Sequence, residues 1–312
     1  METSIHAIAC NKLLILFATI AITGIICSKG SELINIPDVV LFLIVGIFLG
    51  PSVLQIIDIS QFQLENQLIL TFGSAFILYM GGKEVSLKVL KNVKISVFLL
   101  STLGVVITSF LMAKLIGLNF QISFMTCLLA GSIIASTDPA TIVPIFNQVK
   151  IDKKVKQTVI SESALNDATG AIMTVAVLSI IMGGKFSIQQ NIYSLCIMII
   201  VGIMVGLITG LVLLFLVNDS PKGIFKDYTP IISILSVIIA YELSTYLGGS
   251  GYMSCFIVGL VTGNKQNFKL WLSQKHYDAD CHVAETVGTI CRMCIFIILG
   301  SQVQLDVLFK YL

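Results

Sequence analysis

The sequence predicts an all-α membrane protein that crosses the bilayer many times, and three observations support this fold class. Of the 312 residues, 56% are hydrophobic and only 12% are charged, whereas charged residues make up about a quarter of an average soluble protein. The mean hydropathy is +0.97. The apolar residues also form repeated runs of the roughly 20 residues that an α-helix needs to cross about 30 Å of hydrocarbon. This composition excludes both an ordinary soluble domain and a disordered chain.

Ten apolar segments, separated by short polar segments, are candidates for membrane-spanning helices. In chain order they cover residues 12–28, 38–54, 66–82, 94–116, 121–147, 157–183, 191–217, 228–247, 250–263 and 283–301. We therefore expect residues 1–312 to form a single transmembrane domain of about ten helices. The longest polar segment, Asn264 to His282, is expected to be a surface loop with a short interfacial helix around Phe268, Trp271 and Leu272.

The basic residues predict the orientation of these helices. They comprise 18 Lys and a single Arg, which is Arg292. Cytoplasmic loops of membrane proteins are rich in Lys and Arg, and the alternate loops of this chain hold 14 Lys on one side and 4 on the other. This asymmetry predicts a multi-pass protein with its N-terminus outside. The lysines do not form a patch of the kind that binds nucleic acid, so we expect the lipid bilayer as a partner and no nucleic acid.

The fifth span contains two prolines, Pro139 and Pro144, that disturb its helix. Because Pro139 lacks a backbone N–H, the carbonyl of Ala135 loses its helical partner. Such backbone groups are tolerated inside a membrane only where protein or a water-filled cavity satisfies them. We therefore expect a broken helix with Thr137 and Asp138 at the break, where carbonyl, hydroxyl and carboxylate oxygens suit a monovalent cation. A simple proline kink capped by Asp138 is the alternative interpretation of this segment.

The sixth span carries two carboxylates within its apolar sequence, Glu162 and Asp167. Charged side chains at membrane depth are costly and therefore indicate function. In a helix, Asp167 shares a face with Ser163, and Glu162 shares the adjoining face with Asn166, because residues four apart lie one turn from each other. Two adjoining stripes of oxygen-bearing side chains are the result.

Arg292 is the only arginine of the chain, and it lies inside the apolar run of the tenth span. A buried carboxylate without a partner becomes protonated, whereas one that pairs with arginine stays ionised. A pair between Glu162 and Arg292 leaves Asp167 without a fixed counter-ion, free to hold either a proton or a metal cation. That exclusive choice is the chemistry of an exchanger. Glu242, near the end of the eighth span, is interpreted as an interfacial residue.

Glycines recur every four residues in two of the spans. Gly46 and Gly50 lie in the second span, and Gly202, Gly206 and Gly210 lie in the seventh. Such rows give flat helix faces for close packing or for a dimer contact.

The eight cysteines are interpreted as small apolar residues, because most of them lie inside spans. Cys281, His282, Cys291 and Cys294 include a Cys-x-x-Cys pair and raise the alternative of a metal cluster. The pair lies in an apolar helix, however, and the sequence has no second pair of this kind. Phosphate-binding loops and nucleophile elbows are also missing, so we predict no cofactor and no catalytic residues.

The chain resembles NhaP-type sodium/proton antiporters of the monovalent cation:proton antiporter-1 family over nearly its whole length. The motifs that carry the resemblance are Thr137-Asp138-Pro139, Glu162-Ser163, Asn166-Asp167, Arg292 before the FIILG sequence of residues 296–300, and the segment 36–51.

This resemblance implies roles for individual residues. It gives the cation-binding residues as Asp167, Asp138, Ser163 and Thr137. It further implies that Asp167 is the transport carboxylate, that Glu162 pairs with Arg292, and that Asn166 marks electroneutral exchange of one cation for one proton. An inverted-repeat fold, a homodimer and a place in the cell membrane are implied as well.

The resemblance also bears on length. Members of the family have about thirteen spans, and a second broken helix near the C-terminus crosses the first one in the inverted repeat. This chain stops at Leu312, directly after its tenth span. The resemblance therefore implies a C-terminally truncated antiporter that lacks about three helices.

The leading hypothesis is an antiporter that exchanges Na⁺, or Li⁺ or K⁺, for H⁺ by alternating access. One alternative is a truncated remnant or subunit that does not transport. Another is an intramembrane aspartyl protease with Asp138 and Asp167 on adjacent spans. The sequence context argues against the protease, because Pro139 directly after Asp138 favours a site rich in carbonyl oxygens.

Overall fold

In a computed structural model, the described residues of the protein form helices and no β-strand, which confirms the predicted all-α fold class. The structure describes residues 2–34, 36–59, 62–137, 151–182, 188–218, 224–268 and 274–307. Their α-helices are α1 (Glu2–Ile34), α2 (Asp38–Leu49), α3 (Gln63–Glu84), α4 (Leu87–Leu99), α5 (Val105–Asn119), α6 (Phe124–Ile134), α7 (Lys153–Ile181), α8 (Ile188–Leu216), α9 (Thr229–Tyr246), α10 (Gly251–Gly263) and α11 (Gln274–Ser301).

A helix occupies the place of each predicted span. The fourth span corresponds to α4 and α5, which a π-helix at Leu100–Gly104 joins. Within the described ranges, five stretches are long and apolar enough to cross a membrane, namely Asn11–Ile34, Leu87–Asn119, Cys196–Leu216, Lys226–Tyr246 and Lys275–Ser301. Helices α2, α6 and α10 are apolar but shorter. These helices support the prediction of a multi-pass membrane protein.

The chain divides into two compact units. The first comprises residues 1–77 and 285–312, and the second comprises residues 78–284. Helices α3 and α11 each contribute residues to both units, because the divisions fall within them.

In the first unit, α2 and α11 approach each other through glycines. A Cβ atom placed on Gly46 would lie 2.3 Å from the carbonyl oxygen of Ile297, and one on Gly300 would lie 2.3 Å from that of Leu43. Such distances leave no room for a side chain. Phe42 and Ile297, both fully buried, lie beside this contact.

In the second unit, the glycine row of α8 packs against α10. A Cβ atom on Gly206 would lie 2.5 Å from the carbonyl oxygen of Ser254, and Gly202 and Gly210 face Ser250 and Val261 in the same way. The row of the seventh span therefore serves close packing within the chain, which is one of the two roles predicted for it. Gly46 does the same in the first unit.

The continuous helix formed by α4, the π-helix and α5 buries a regular row of residues. Between Leu87 and Asn119 the buried positions are Val93, Val97, Ser101, Val105, Ser109 and Ala113. The remaining side chains of this helix are partly or fully exposed. A long apolar helix that buries six of its 33 residues is typical of a helix that faces lipid on its other sides.

The polar segment before the last span differs from the prediction. A 3₁₀-helix at Lys265–Phe268 lies where a short interfacial helix was expected, although Trp271 and Leu272 fall outside the described residues. The expected surface loop up to His282 is wrong for residues 274–282, because α11 already begins at Gln274. The polar side chains of its first turns have partners within the second unit: His276 lies 3.5 Å from Asp227, and Asp280 pairs with Lys83.

Candidate cation site

The helix of the fifth span ends early, at the position where the sequence predicts a break. Helix α6 begins after Ser123, whose hydroxyl oxygen accepts a hydrogen bond from the Thr126 backbone N–H, and it ends at Ile134. The Ala135 N–H still donates to the carbonyl of Gly131, but residues 135–137 are not helical. The carbonyl of Thr137 is therefore available to side chains. Asp138, Pro139 and Pro144 lie outside the described residues.

Helix α7 supplies the other half of the candidate site. It runs without interruption from Lys153 to Ile181, and the carboxylate of Asp152 caps its first turn by accepting from the Lys154 N–H. Ser163 and Asn166 are fully buried, with exposed fractions of 0%. Asp167 lies in the same helix, four residues after Ser163, and its side chain is outside the described part of the structure.

Ser163 connects α7 with the non-helical segment. Its hydroxyl donates a hydrogen bond to the backbone carbonyl of Thr137. Both oxygens keep a lone pair that this bond does not use, since a hydroxyl and a carbonyl each have two. Two of the four residues that the family resemblance implies as cation ligands are thus in direct contact.

Asn166 binds three partners at once. Its amide nitrogen donates to Thr137 Oγ1 at 2.6 Å and to Glu162 Oε1 at 2.9 Å. Its amide oxygen accepts from Ser136 Oγ at 3.3 Å. The Thr137 hydroxyl in turn donates to Glu162 Oε2 at 3.4 Å. Ser136, Thr137, Glu162, Ser163 and Asn166 form one hydrogen-bonded set, which we call the oxygen cluster.

The structure adds residues that the sequence motifs did not identify. Ser136 lies directly before the Thr137-Asp138-Pro139 motif, and its hydroxyl contacts Asn166. Further along both helices, Ser132 Oγ lies 3.1 Å from Thr174 Oγ1. A Cβ atom on Gly170 would lie 3.1 Å from the Cβ of Ser136, so the glycine lets α7 approach the end of α6. Three-dimensional contact was needed to find these residues, because Ser and Thr are common in apolar helices.

Glu162 and Arg292 belong to different units of the structure. Glu162 is partly exposed in the second unit. Arg292 is partly buried in the first unit, on α11, where its Nη2 donates to Thr289 Oγ1 at 3.1 Å. The pair between them stays a prediction.

The structure also describes Glu242 and two of the cysteines that raised the alternative of a metal cluster. Glu242 is exposed on α9. Cys291 and Cys294 are buried, and among the residues that the structure describes no three His, Cys, Asp or Glu side chains come together as metal ligands.

Arg292 is not the only basic side chain held away from solvent. Lys83, which the span boundaries assign to a loop, lies in α3 with only 8% of its side chain exposed and pairs with Asp280 at 2.6 Å. Sequence spacing gave no signal for this pair, because its partners are 197 residues apart.

Apolar helices with a set of hydrogen-bonded oxygen atoms at the end of one helix, of which Ser163 and Asn166 are fully buried, are typical of secondary ion transporters. Comparison with known proteins identifies the family to which the chain belongs. The family described as "sodium/hydrogen exchanger, transmembrane" matches residues 15–312. The chain therefore belongs to the sodium/hydrogen exchanger family.

Two relatives illustrate the family. A probable Na⁺/H⁺ antiporter 2 of Methanocaldococcus jannaschii is 28% identical over 307 residues, which cover 92% of this chain and 68% of the relative. The K⁺/H⁺ antiporter NhaP2 of Shewanella oneidensis is 27% identical over 297 residues, which cover 93% of this chain and 49% of the relative.

The fold is similar to that of a solved antiporter. The structure of the sodium proton antiporter MjNhaP1 from Methanocaldococcus jannaschii at pH 8 matches with a TM-score of 0.76 and 25% sequence identity. The match covers 96% of this chain and 74% of that one. These likenesses confirm the resemblance to NhaP-type antiporters and support cation/proton antiport as the activity. The relatives are transporters, so the comparisons give the protease alternative no support.

Proposed function

We propose that the protein exchanges a monovalent cation for a proton, and that Asp167 carries either one or the other. In this proposal the cation is bound by the carboxylates of Asp167 and Asp138, the hydroxyl of Ser163 and the carbonyl of Thr137. Carboxylate, hydroxyl and carbonyl oxygens are the ligands that hard cations prefer.

The observation that carries the proposal is the hydrogen bond from Ser163 to the Thr137 carbonyl. It brings two of the four proposed ligand oxygens together, one on a continuous helix and one on a segment where the helix has ended. Unwound carbonyls beside a neighbouring helix form the ion sites of many secondary transporters. Asp167 follows Ser163 by one turn of α7, a spacing that favours the same face.

Asn166 and Glu162 have supporting roles in this proposal. Asn166 braces the non-helical segment through its bond to Thr137 and holds Glu162 through its second amide hydrogen. An amide does not titrate, so one carboxylate fewer is available for protons than an aspartate would provide. We infer an electroneutral exchange of one cation for one proton. Arg292 is proposed to keep Glu162 ionised, which leaves Asp167 as the exchanging group.

The transport cycle is proposed to follow alternating access. Movement between outward-open and inward-open states is permitted only when Asp167 holds a cation or a proton, and this condition couples the two fluxes. Na⁺ is the first candidate, with Li⁺ and K⁺ as alternatives, since the relatives include both a probable Na⁺/H⁺ antiporter and a K⁺/H⁺ antiporter.

We propose the orientation, the membrane location and the assembly of the protein from its sequence. The lysine asymmetry favours an N-terminus outside the cell membrane, and we propose that both units belong to one exchanger domain spanning residues 1–312. A homodimer is proposed from the family resemblance. Since Gly46 and Gly206 are engaged within the chain, a dimer contact would use other surfaces.

Replacement of Asp167 by Asn tests the proposal. The purified protein is placed in vesicles that contain a pH-sensitive dye, and proton movement is followed after addition of Na⁺, Li⁺ or K⁺. We expect the unchanged protein to respond to at least one of these ions and the Asp167→Asn variant to lose the response, because an amide holds neither a titrating proton nor a cation charge. The matched control is Glu242→Gln, which removes an exposed carboxylate from α9 and should leave the flux intact. Exchange that persists in Asp167→Asn would contradict the assignment.

A further inference from the structure

The second unit contains a buried ion pair that the exchange chemistry does not use. Lys83 Nζ lies 2.6 Å from Asp280 Oδ2, and the two side chains are only 8% and 5% exposed. Lys83 is in the last turn of α3, and Asp280 is in the second turn of α11.

Two tyrosines surround the Lys83 ammonium. It lies 5.5 Å from the ring centre of Tyr79 and 5.3 Å from that of Tyr277. The same Tyr277 ring receives a second cation, because Lys265 Nζ lies 3.7 Å from its centre. Cations are attracted to aromatic rings at such distances. The first turns of α11 are thus held by Lys83 through Asp280 and Tyr277, and by Lys265 through Tyr277.

The backbone around Lys83 is itself closely packed. A Cβ atom on Gly263 would lie 2.2 Å from the carbonyl oxygen of Lys83, and one on Gly259 would lie 2.0 Å from that of Tyr79. Asn264, directly after α10, donates to the Val85 carbonyl at 2.7 Å and accepts from the Leu87 N–H at 3.0 Å. The end of α3 is therefore fixed to α10 by main-chain contacts, and Lys83 extends from a firm position.

Helix α11 continues from Asp280 to Arg292 without a break. Twelve residues of α-helix correspond to about 18 Å along the axis. A helix is stiff over this length, so an anchor at its first turns limits how freely the same helix can bend or shift.

The free energy of separating Lys83 from Asp280 favours a pair that stays in contact. Two buried charges are expensive to separate, because each would be left without a partner. A buried ion pair also contributes little net stability compared with a well-packed apolar pair. The ion pair does, however, favour one arrangement of the two helices, because its charges and its hydrogen bond are satisfied together only in that geometry.

We propose that Lys83 and Asp280 are a positioning pair that fixes the start of α11 to α3 and α10 and keeps it there during exchange. The inference rests on the proposed function for its transport readout. The part of the proposal that concerns the anchoring of α11 is tested by hydrogen exchange, which does not depend on transport.

The experiment compares five variants with the unchanged protein: Lys83→Met, Asp280→Asn, the reversed pair Lys83→Asp with Asp280→Lys, the apolar pair Lys83→Met with Asp280→Leu, and the control Lys29→Met. The control removes one partner of an exposed pair, Lys29–Glu32, whose side chains are 72% and 66% exposed. Three quantities are measured: folded yield, hydrogen exchange of residues 274–284 in lipid nanodiscs, and cation-dependent proton flux in vesicles.

We expect each single replacement to speed exchange in 274–284 by at least about tenfold and to lower the maximal flux by a similar factor. The reversed pair should recover much of both. The apolar pair should recover folded yield but not flux, because it restores packing without the directional contact.

Two results would overturn the proposal. Unchanged hydrogen exchange in the single variants would show that the pair does not anchor α11, whether or not the protein transports. Full flux in the apolar pair would show that the residues only stabilise the fold. Absence of flux in the unchanged protein and in Lys29→Met would instead count against the proposed function, and hydrogen exchange would still decide the anchoring.

Discussion

The oxygen cluster and the Lys83–Asp280 pair are two polar regions of the same unit with opposite electrostatic designs. In the oxygen cluster, the bonds that Glu162 accepts within the second unit come from the neutral groups of Asn166 and Thr137. In the pair, Asp280 accepts a hydrogen bond from the Lys83 ammonium at 2.6 Å.

This difference indicates which region can exchange ions. A carboxylate that already contacts an ammonium has its counter-ion supplied by the protein and has little affinity for another cation. In the oxygen cluster, Arg292 is the proposed partner of Glu162, so Asp167 keeps no fixed counter-ion, and the neutral oxygens of Ser163 and Thr137 add ligands without a competing charge. The contrast is between a site for a mobile ion and a contact made with a fixed one.

The largest effect on transport is expected when a fixed cation is placed in the oxygen cluster. Asn166→Lys would put an ammonium beside Glu162 and Thr137, in imitation of Lys83. We expect cation-dependent proton flux to fall by about a hundredfold or more, since repulsion between two charges a few Å apart in a low-dielectric site exceeds about 3 kcal/mol. Vesicle assays with Na⁺, Li⁺ and K⁺ measure the loss.

The control for that variant is Val155→Lys. It adds the same charge to the same helix at an exposed position, 49% accessible, and should transport normally. Normal flux in Asn166→Lys would mean that the cation does not pass near the oxygen cluster.

A smaller effect is expected from the loss of one neutral ligand. Ser163→Ala removes the hydroxyl that contacts the Thr137 carbonyl and leaves the charges of the cluster as they are. We expect the KM for the cation to rise by about tenfold, because one buried polar contact contributes about 1–3 kcal/mol.

Ser163→Thr keeps the hydroxyl and should restore a KM near the original value. The assay is the dependence of initial flux on cation concentration. Equal KM values for the Ala and Thr variants would remove Ser163 from the ligand set.

The smallest effect is expected from a change in the packing around the ion pair that leaves both of its charges in place. Gly82→Ala would place a Cβ atom 2.1 Å from the carbonyl oxygen of Phe256, whereas at the neighbouring Gly81 the nearest atom would be Ile160 Cγ2 at 3.7 Å. We expect Gly82→Ala to destabilise the protein by about 1–3 kcal/mol and Gly81→Ala to be close to neutral. Thermal unfolding in detergent measures both. Equal unfolding temperatures would show that α3 and α10 can separate without cost.

Much of this organisation could be predicted from local sequence. The apolar runs predicted the helices because hydrocarbon crossing requires a fixed length. Pro139 predicted the interruption of the fifth span, and α6 does end at Ile134. The spacing of Glu162 and Asn166 predicted that they would share a face, and they are hydrogen-bonded.

What escaped prediction depends on contacts between distant segments. The partners of the Lys83–Asp280 pair are 197 residues apart, and a lysine at a helix end has the same local appearance whether it faces water or a carboxylate. The early start of α11 at Gln274 was missed for the same reason. Its first turns are too polar to look like a span, and their partners lie on other helices.

The π-helix at Leu100–Gly104 has a consequence for the rotation of a helix about its own axis. The six buried residues of this helix, from Val93 to Ala113, recur every four positions. A regular α-helix turns about 40° past a full circle in four residues, so such a row would wind round to the far side within five steps. A wider π-helical turn takes up part of the excess, and Ser109 faces the neighbouring helix, where its carbonyl oxygen lies 2.4 Å from a Cβ atom placed on Gly131. Gly131 is one turn before the end of α6. The contact between α5 and α6 thus depends on a single wide turn earlier in the chain, and a one-residue deletion there would rotate α5 by about 100°.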